Sequence, residues 1–195
     1  MPAPVTARIA EGVASIPAAQ WDACAGDANP FVSHAFLSAL ERSGPATAET
    51  GWQPLPIVID DPCGNPAAIV PAYGKSHSQG EYVFDHAWAD AWERAGGRYY
   101  PKLQIAVPFT PVPGPRLLLR DGALAPALIA GIEAVTDQNR LSSAHVTFID
   151  DAQLPLFERA GWLLRAGTQF HWHNDGYSSF DDFLAALSSR KRKAI

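Results

Sequence analysis

Residues 76–116 read SHSQGEYVFDHAWADAWERAGGRYYPKLQIAVPFTPVPGPR, and the rest of the chain organises around them. Aromatic, acidic, histidine and proline residues crowd this run, with little plain apolar periodicity. A solvated loop would be poor in Trp, Tyr and Phe, because leaving each exposed forgoes about 1.5–3 kcal/mol of burial. The stretch therefore reads as a packed functional edge. Leu103 to Val107 is strand-like, with Tyr99, Tyr100, Pro101 and Lys102 just before it. Pro108, Pro111, Pro113 and Pro115 then fix φ and remove backbone donors, so this segment is extended or looped, with Gly114 relieving the crowding. It suits one wall of a ligand cleft; a proline-stiffened surface crossover is the plainer alternative.

Upstream, Leu55–Asp60 and Ala67–Tyr73 are strand candidates separated by Asp61-Pro62-Cys63-Gly64-Asn65-Pro66, a linker dense in turn formers. They predict an antiparallel hairpin. Nearer the N-terminus, Val5 to Ile9 predicts a strand, Pro17 opens a helix over Ala18 to Cys24, and Ser33 caps a second helix that Gly44 ends. Within the central stretch, Ala87 to Ala95 predicts a helix ended by Gly96-Gly97.

Downstream, Leu117–Leu119 continues as a strand. Leu124, Leu128, Ile132 and Val135 recur at helical spacing within a helix over Ala123 to Gln138. A strand over Ala144 to Ile149 and a short helix over Leu154 to Ala160 follow. Trp162 to Trp172 alternates as another strand, with Gln169, His171 and His173 on one face. Ser179 with Asp182 forms a capping box for a last helix that runs into Arg190-Lys191-Arg192-Lys193. The mixed order of strands and helices predicts an α+β fold with helices flanking the sheet.

With 195 residues, 47% of them hydrophobic, the chain can bury a substantial core. The net charge of −5 conceals a sharper asymmetry: the terminal run holds four of the fifteen basic residues, and the other eleven face twenty acids. A body this acidic excludes DNA as the expected partner. Cys24 and Cys63 carry no disulfide or zinc spacing. No signal-peptide pattern opens the chain and no apolar run approaches a membrane span, so the expected location is the cytoplasm.

Phosphate loops, GxGxxG, GxSxG and HExxH are all absent from the sequence. His171 and His173, with His77 and His86, raise a metal site, but HxH pairs more often sit at a polar edge and no metal is expected. Asp85 beside His86 suits acid–base work, against the ordinary use of Asp there as a helix cap; Glu81 beside Tyr82 is similar. Lys102 between tyrosines suits an anionic ligand group, against a snorkelling surface lysine.

The runs GEYVFDHAWADAWERAGGRYYPKLQIAVPFTPVPGPRLL and FHWHNDGYSSFDDFLAALSSRKRKAI resemble the FemAB-like predicted N-acyltransferases of peptidoglycan biosynthesis and recognition. The resemblance covers nearly the whole chain from Ser33. It implies a GNAT-like fold with a mixed, mostly antiparallel sheet, and N-acyl or aminoacyl transfer to a small-molecule or peptide amine. Acyl-CoA or aminoacyl-tRNA would be the co-substrate, and no cofactor would be tightly bound. Residues 1–177 would form a first GNAT-like domain, with 178–195 leading into a second; a protein ending there would self-associate through Phe183, Leu184 and Leu187. The implied substrate-binding residues are Ser76, His77, Tyr99, Tyr100, Lys102, Thr110, Pro111, Gly114, Pro115, Arg116 and Asn174. Asp85, Glu81 or His173 would be the base, and Lys102 or Arg116 would hold a phosphate or carboxylate. Non-catalytic recognition of a cell-wall peptide or protein partner is the alternative class.

Overall fold

The computed structural model describes residues 6–195, so Val5 of the first expected strand lies outside them. After strand β1 (Ala7–Ile9), Pro17 sits at the N-cap of helix α1 (Ala18–Ala25). Helix α2 (His34–Arg42) begins where the Ser33 hydroxyl accepts from the Phe36 N–H, the cap its sequence predicts. The expected hairpin forms, but each of its arms is two strands: β2 (Trp52–Pro54) and β3 (Ile57–Asp60), then β4 (Pro66–Val70) and β5 (Ala72–Lys75). The breaks fall at Pro56 and Pro71, which cannot donate to a ladder.

Helix α3 (His86–Arg94), strands β6 (Lys102–Ile105) and β7 (Leu118–Leu119), helix α4 (Ala125–Gln138), strand β8 (Ala144–Val146) and helix α5 (Leu154–Arg159) follow. They complete two four-stranded sheets, ordered β1-β3-β4-β7 and β2-β5-β6-β8. Every pairing is antiparallel except β6 with β8. The class is α+β and mostly antiparallel, with two sheets sharing one broken hairpin.

Side-chain alternation assigns each sheet two faces. On one, Ile57, Ile59, Val70, Leu103 and Ile105 pack against Leu128, Ile129, Ile132 and Val135 of α4 and Phe157 of α5. Gly131 permits this approach, since a Cβ there would stand 2.9 Å from Ala7 Cβ. On the other face, Val58, Ile69 and Leu118 pack with Trp21 and Cys24 of α1 and Leu37 of α2. That side of the second sheet is different. Beside a small cluster of Ala46, Trp52, Tyr73 and Ala106 it carries Lys75, Lys102 and Gln104, all fully buried.

The chain separates into two compact units, one ending at Leu164 and the other spanning Arg165–Ile195. The strand expected over Trp162 to Trp172 does not form. Residues 162–173 carry no regular structure, and Phe170 is 94% exposed. Alternation alone does not make a strand without an edge to pair with. In the second unit, helix α6 (Phe180–Ala186) has the predicted Ser179 cap, and Phe183 gathers the rings of Trp172, Tyr177 and Phe180. The last helix is not continuous into the basic run: Leu187 turns extended (ψ 150°) before the short α7 (Ser189–Arg192).

Candidate functional site

Strand register creates the site. Lys75 of β5 and Lys102 of β6 are direct cross-strand partners, as are Tyr73 and Gln104, and Trp52 lies opposite Lys75 on β2. These five side chains share one face. The segment between β5 and α3 returns over it and delivers two carboxylates. Lys102 Nζ donates to Ser78 Oγ at 2.9 Å, Glu81 Oε2 at 2.8 Å and Asp85 Oδ2 at 2.7 Å. An ammonium has three N–H donors, so Lys102 is saturated. Lys102, Glu81 and Asp85 are all buried.

Two tyrosines extend the cluster. The Tyr99 hydroxyl donates to Asp85 Oδ2 at 2.7 Å, and the Tyr100 hydroxyl shares a hydrogen bond with Ser78 Oγ at 2.8 Å. Their ring centres lie 5.2 and 5.7 Å from Lys102 Nζ. Lys75 Nζ donates to the Gln79 carbonyl at 3.1 Å and lies 3.7 Å from the centre of a Trp52 ring.

The electrostatics divide the two acids. Burial pushes the Glu81 carboxyl up, and the Lys102 charge and hydrogen bond only partly restore it. Burial also acts upward on Asp85, but hydrogen bonds from Lys102 and Tyr99 outweigh it and hold this carboxyl below the ordinary range. The Tyr99 phenol is pushed up by burial and by its bond to Asp85. Burial lowers the Lys75 ammonium to about 8, with Glu81 opposing the shift and Lys102 adding to it. Asp85 is thus a fixed anion, whereas Glu81 holds a proton more tightly than an ordinary carboxyl and Lys75 holds its proton more loosely than an ordinary ammonium.

Polar atoms without a protein partner concentrate here. Among the described residues, six buried side-chain N or O atoms have none, and five lie on this face or the segment covering it: Trp52 Nε1, Tyr73 Oη, Glu81 Oε1, Asp85 Oδ1 and Gln104 Oε1. Such atoms are costly in a folded protein, and their clustering marks a polar interior rather than a core.

The match to family profiles decides the affiliation: the FemAB-like family, described as peptidoglycan biosynthesis/recognition, spans residues 12–195. The chain belongs to the FemAB-like family. No curated protein and no solved structure gives a significant match. The family description supports transferase chemistry tied to peptidoglycan, in general terms.

In this FemAB-like chain the structure brings together Glu81, Asp85, Tyr99, Tyr100 and Lys102 of the expected set. Ser76 and His77 lie outside the cluster: they pack on Gly51, and His77 Nε2 is 3.0 Å from the Thr50 carbonyl. Ser76 borders a cleft of about 320 Å³ whose lining also includes Gln53, Gly74 and Lys75. Thr110, Pro111, Gly114, Pro115 and Arg116 form a strapped crossover. The Arg116 guanidinium donates to the carbonyls of Thr147, Pro115 and Val112, and Gly114 bridges to Ile149. Burial lowers Arg116 to about 10. His173 and Asn174 belong to the second unit, where Asn174 Oδ1 accepts from the Gly176 and Tyr177 N–H groups.

Sequence reasoning missed Lys75, Ser78, Trp52, Tyr73 and Gln104. The register that places them is invisible in a linear string, but one signal was present: Lys75 and Lys102 are the only lysines before the terminal run. Among the described residues no His, Cys, Asp and Glu group could hold a metal ion, and no helix is long and apolar enough to cross a membrane.

Proposed function

We propose that this FemAB-like protein transfers an acyl or aminoacyl group to an amine, as a cytoplasmic enzyme and the first half of a tandem GNAT-like architecture. The observation that carries the reading is the buried Lys102–Glu81–Asp85 cluster on a sheet face rich in unpartnered polar atoms. Transfer from an ester or thioester needs an amine freed of its proton and a developing oxyanion offset by fixed charge. Lys102 supplies the fixed positive charge, held in place by Asp85. Glu81, with its carboxyl pushed up and Oε1 unpartnered, supplies a proton-exchanging group.

The test is turnover with acetyl-CoA or an aminoacyl-tRNA as donor and a lysine-containing peptide as acceptor, read as thiol release or tRNA deacylation. Glu81→Gln should lower turnover by at least about 10²-fold, the usual worth of a general acid or base. Saturation of Lys102 favours a second reading, non-catalytic recognition of a cell-wall peptide or protein partner. Turnover undiminished in Glu81→Gln and Asp85→Asn would move that reading ahead.

A further inference from the structure

Lysine is scarce in this chain. Of its fifteen basic residues only Lys75, Lys102, Lys191 and Lys193 are lysines, and all the others are arginines, which keep their protons at any working pH. Two of these four are the buried cross-strand partners of β5 and β6. Like charges directly opposite on adjacent strands destabilise a sheet, and burial makes the conflict worse. The arrangement persists only if the two amines are treated differently.

They are. Lys102 takes both carboxylates and a hydroxyl, and its three donated N–H bonds identify it as an ammonium. Lys75 has one carbonyl acceptor, Gln79, and a Trp52 ring, and among the described residues it forms no ion pair. The charged groups bearing on it are Glu81 and Asp85 from the covering segment, which favour its ammonium, and Lys102 from β6, which disfavours it. The Trp52 face also favours the cation. Burial outweighs them and brings the group to about 8. A desolvated lysine beside a second cation is a known way to make a reactive amine.

We infer that Lys75 is a second proton acceptor of this site beside Glu81, a buried amine that takes the proton from the incoming acceptor amine, with Lys102 across the strand as its fixed cationic partner. The inference rests on the acyl-transfer reading. The acceptor ammonium gives a proton to the Lys75 amine, which becomes an ammonium. The freed amine then forms its C–N bond to the acyl carbon as the C–S or C–O bond to the donor breaks. The thiolate or alkoxide that leaves takes up the proton lost by the new amide nitrogen.

The decisive measurement is an NMR titration of the full chain carrying ¹³C-labelled lysine, in which only four Cε signals appear and Lys75→Met assigns one of them. Lys75 should titrate at about 8, against roughly 10.4 for free lysine. Glu81→Gln removes a charge that favours the ammonium, so the midpoint should fall further. Titration of Lys75 in the free-lysine range overturns the inference on the unsubstituted protein alone, and an unmoved midpoint in Glu81→Gln overturns its electrostatic basis. In turnover with acetyl-CoA or an aminoacyl-tRNA, Lys75→Met should lose at least about 10²-fold, with the low-pH limb of the unsubstituted protein tracking the Lys75 midpoint. Failure of the underlying reading looks different: the unsubstituted protein transfers nothing from either donor while Lys75 still titrates low.

Discussion

Asp85 stands at the N-cap of α3, yet its side chain caps nothing there; Oδ2 lies 2.7 Å from Lys102 Nζ on the neighbouring sheet. A lost cap costs about 0.5–2 kcal/mol, whereas breaking a buried ion pair costs about 3–5 kcal/mol. Asp85→Asn should therefore fall in the larger class by urea denaturation. Asp85→Ser, a good capping residue, should not recover the loss; recovery would show that capping is what matters.

Asp85 and Lys75 both make stability rise with pH, in two separate windows. Asp85 is held below its unfolded value of 3.8, so its contribution is complete above that pH and is lost as the pH falls and the unfolded chain takes the proton first. Lys75 is lowered from 10.5 to about 8, so the unfolded chain binds the extra proton between those values and stability rises with pH across that window. Urea midpoints should decline from pH 5 to pH 3 less steeply in Asp85→Asn, and rise from pH 8 to pH 10 less steeply in Lys75→Met.

Gly80 has φ +80°, and a Cβ there would meet Phe109 Cε1 at 2.6 Å. Gly80→Ala combines left-handed strain with a clash against a ring that also neighbours Trp52, at 5.5 Å. It should destabilise by about 1–3 kcal/mol, measured by thermal or urea unfolding. Neutral behaviour would mean that the covering segment yields freely.

Arg116 is expected to be a stability residue. Its three side-chain hydrogen bonds end on backbone carbonyls of the crossover and of Thr147. Arg116→Met should cost about 2–4 kcal/mol, because buried carbonyls lose charged donors. At a temperature where the variant remains folded, KM for acetyl-CoA should stay unchanged; a selective rise in KM would instead place Arg116 on the donor.

The legible parts of the fold were those set by local chemistry: the Ser33 and Ser179 caps, the helical stripe through Leu128, Ile132 and Val135, and the turn-rich hairpin linker. The crowded stretch did contain the cluster, because acids and aromatics placed there have to be paired once buried. What escaped was long-range. Lys75 lies between Gly74 and Ser76 with no local signal of burial, and its place opposite Lys102 of β6 appears only in the folded register. The carbonyls that accept from Arg116, those of Val112, Pro115 and Thr147, were likewise out of view in the string, the last being 31 residues away. Trp162 to Trp172 misled for the converse reason: its alternation is local, and a strand needs a neighbour.

The breaks at Pro56 and Pro71 leave the hairpin crossing from one sheet to the other without interruption, as the Leu55 N–H bond to the Ala72 carbonyl shows. The two sheets therefore cannot open independently. In hydrogen exchange, amides of β3 and β4 should be released in the same cooperative event as those of β5 and β6, making the buried lysine pair part of the slowest-exchanging unit of the chain.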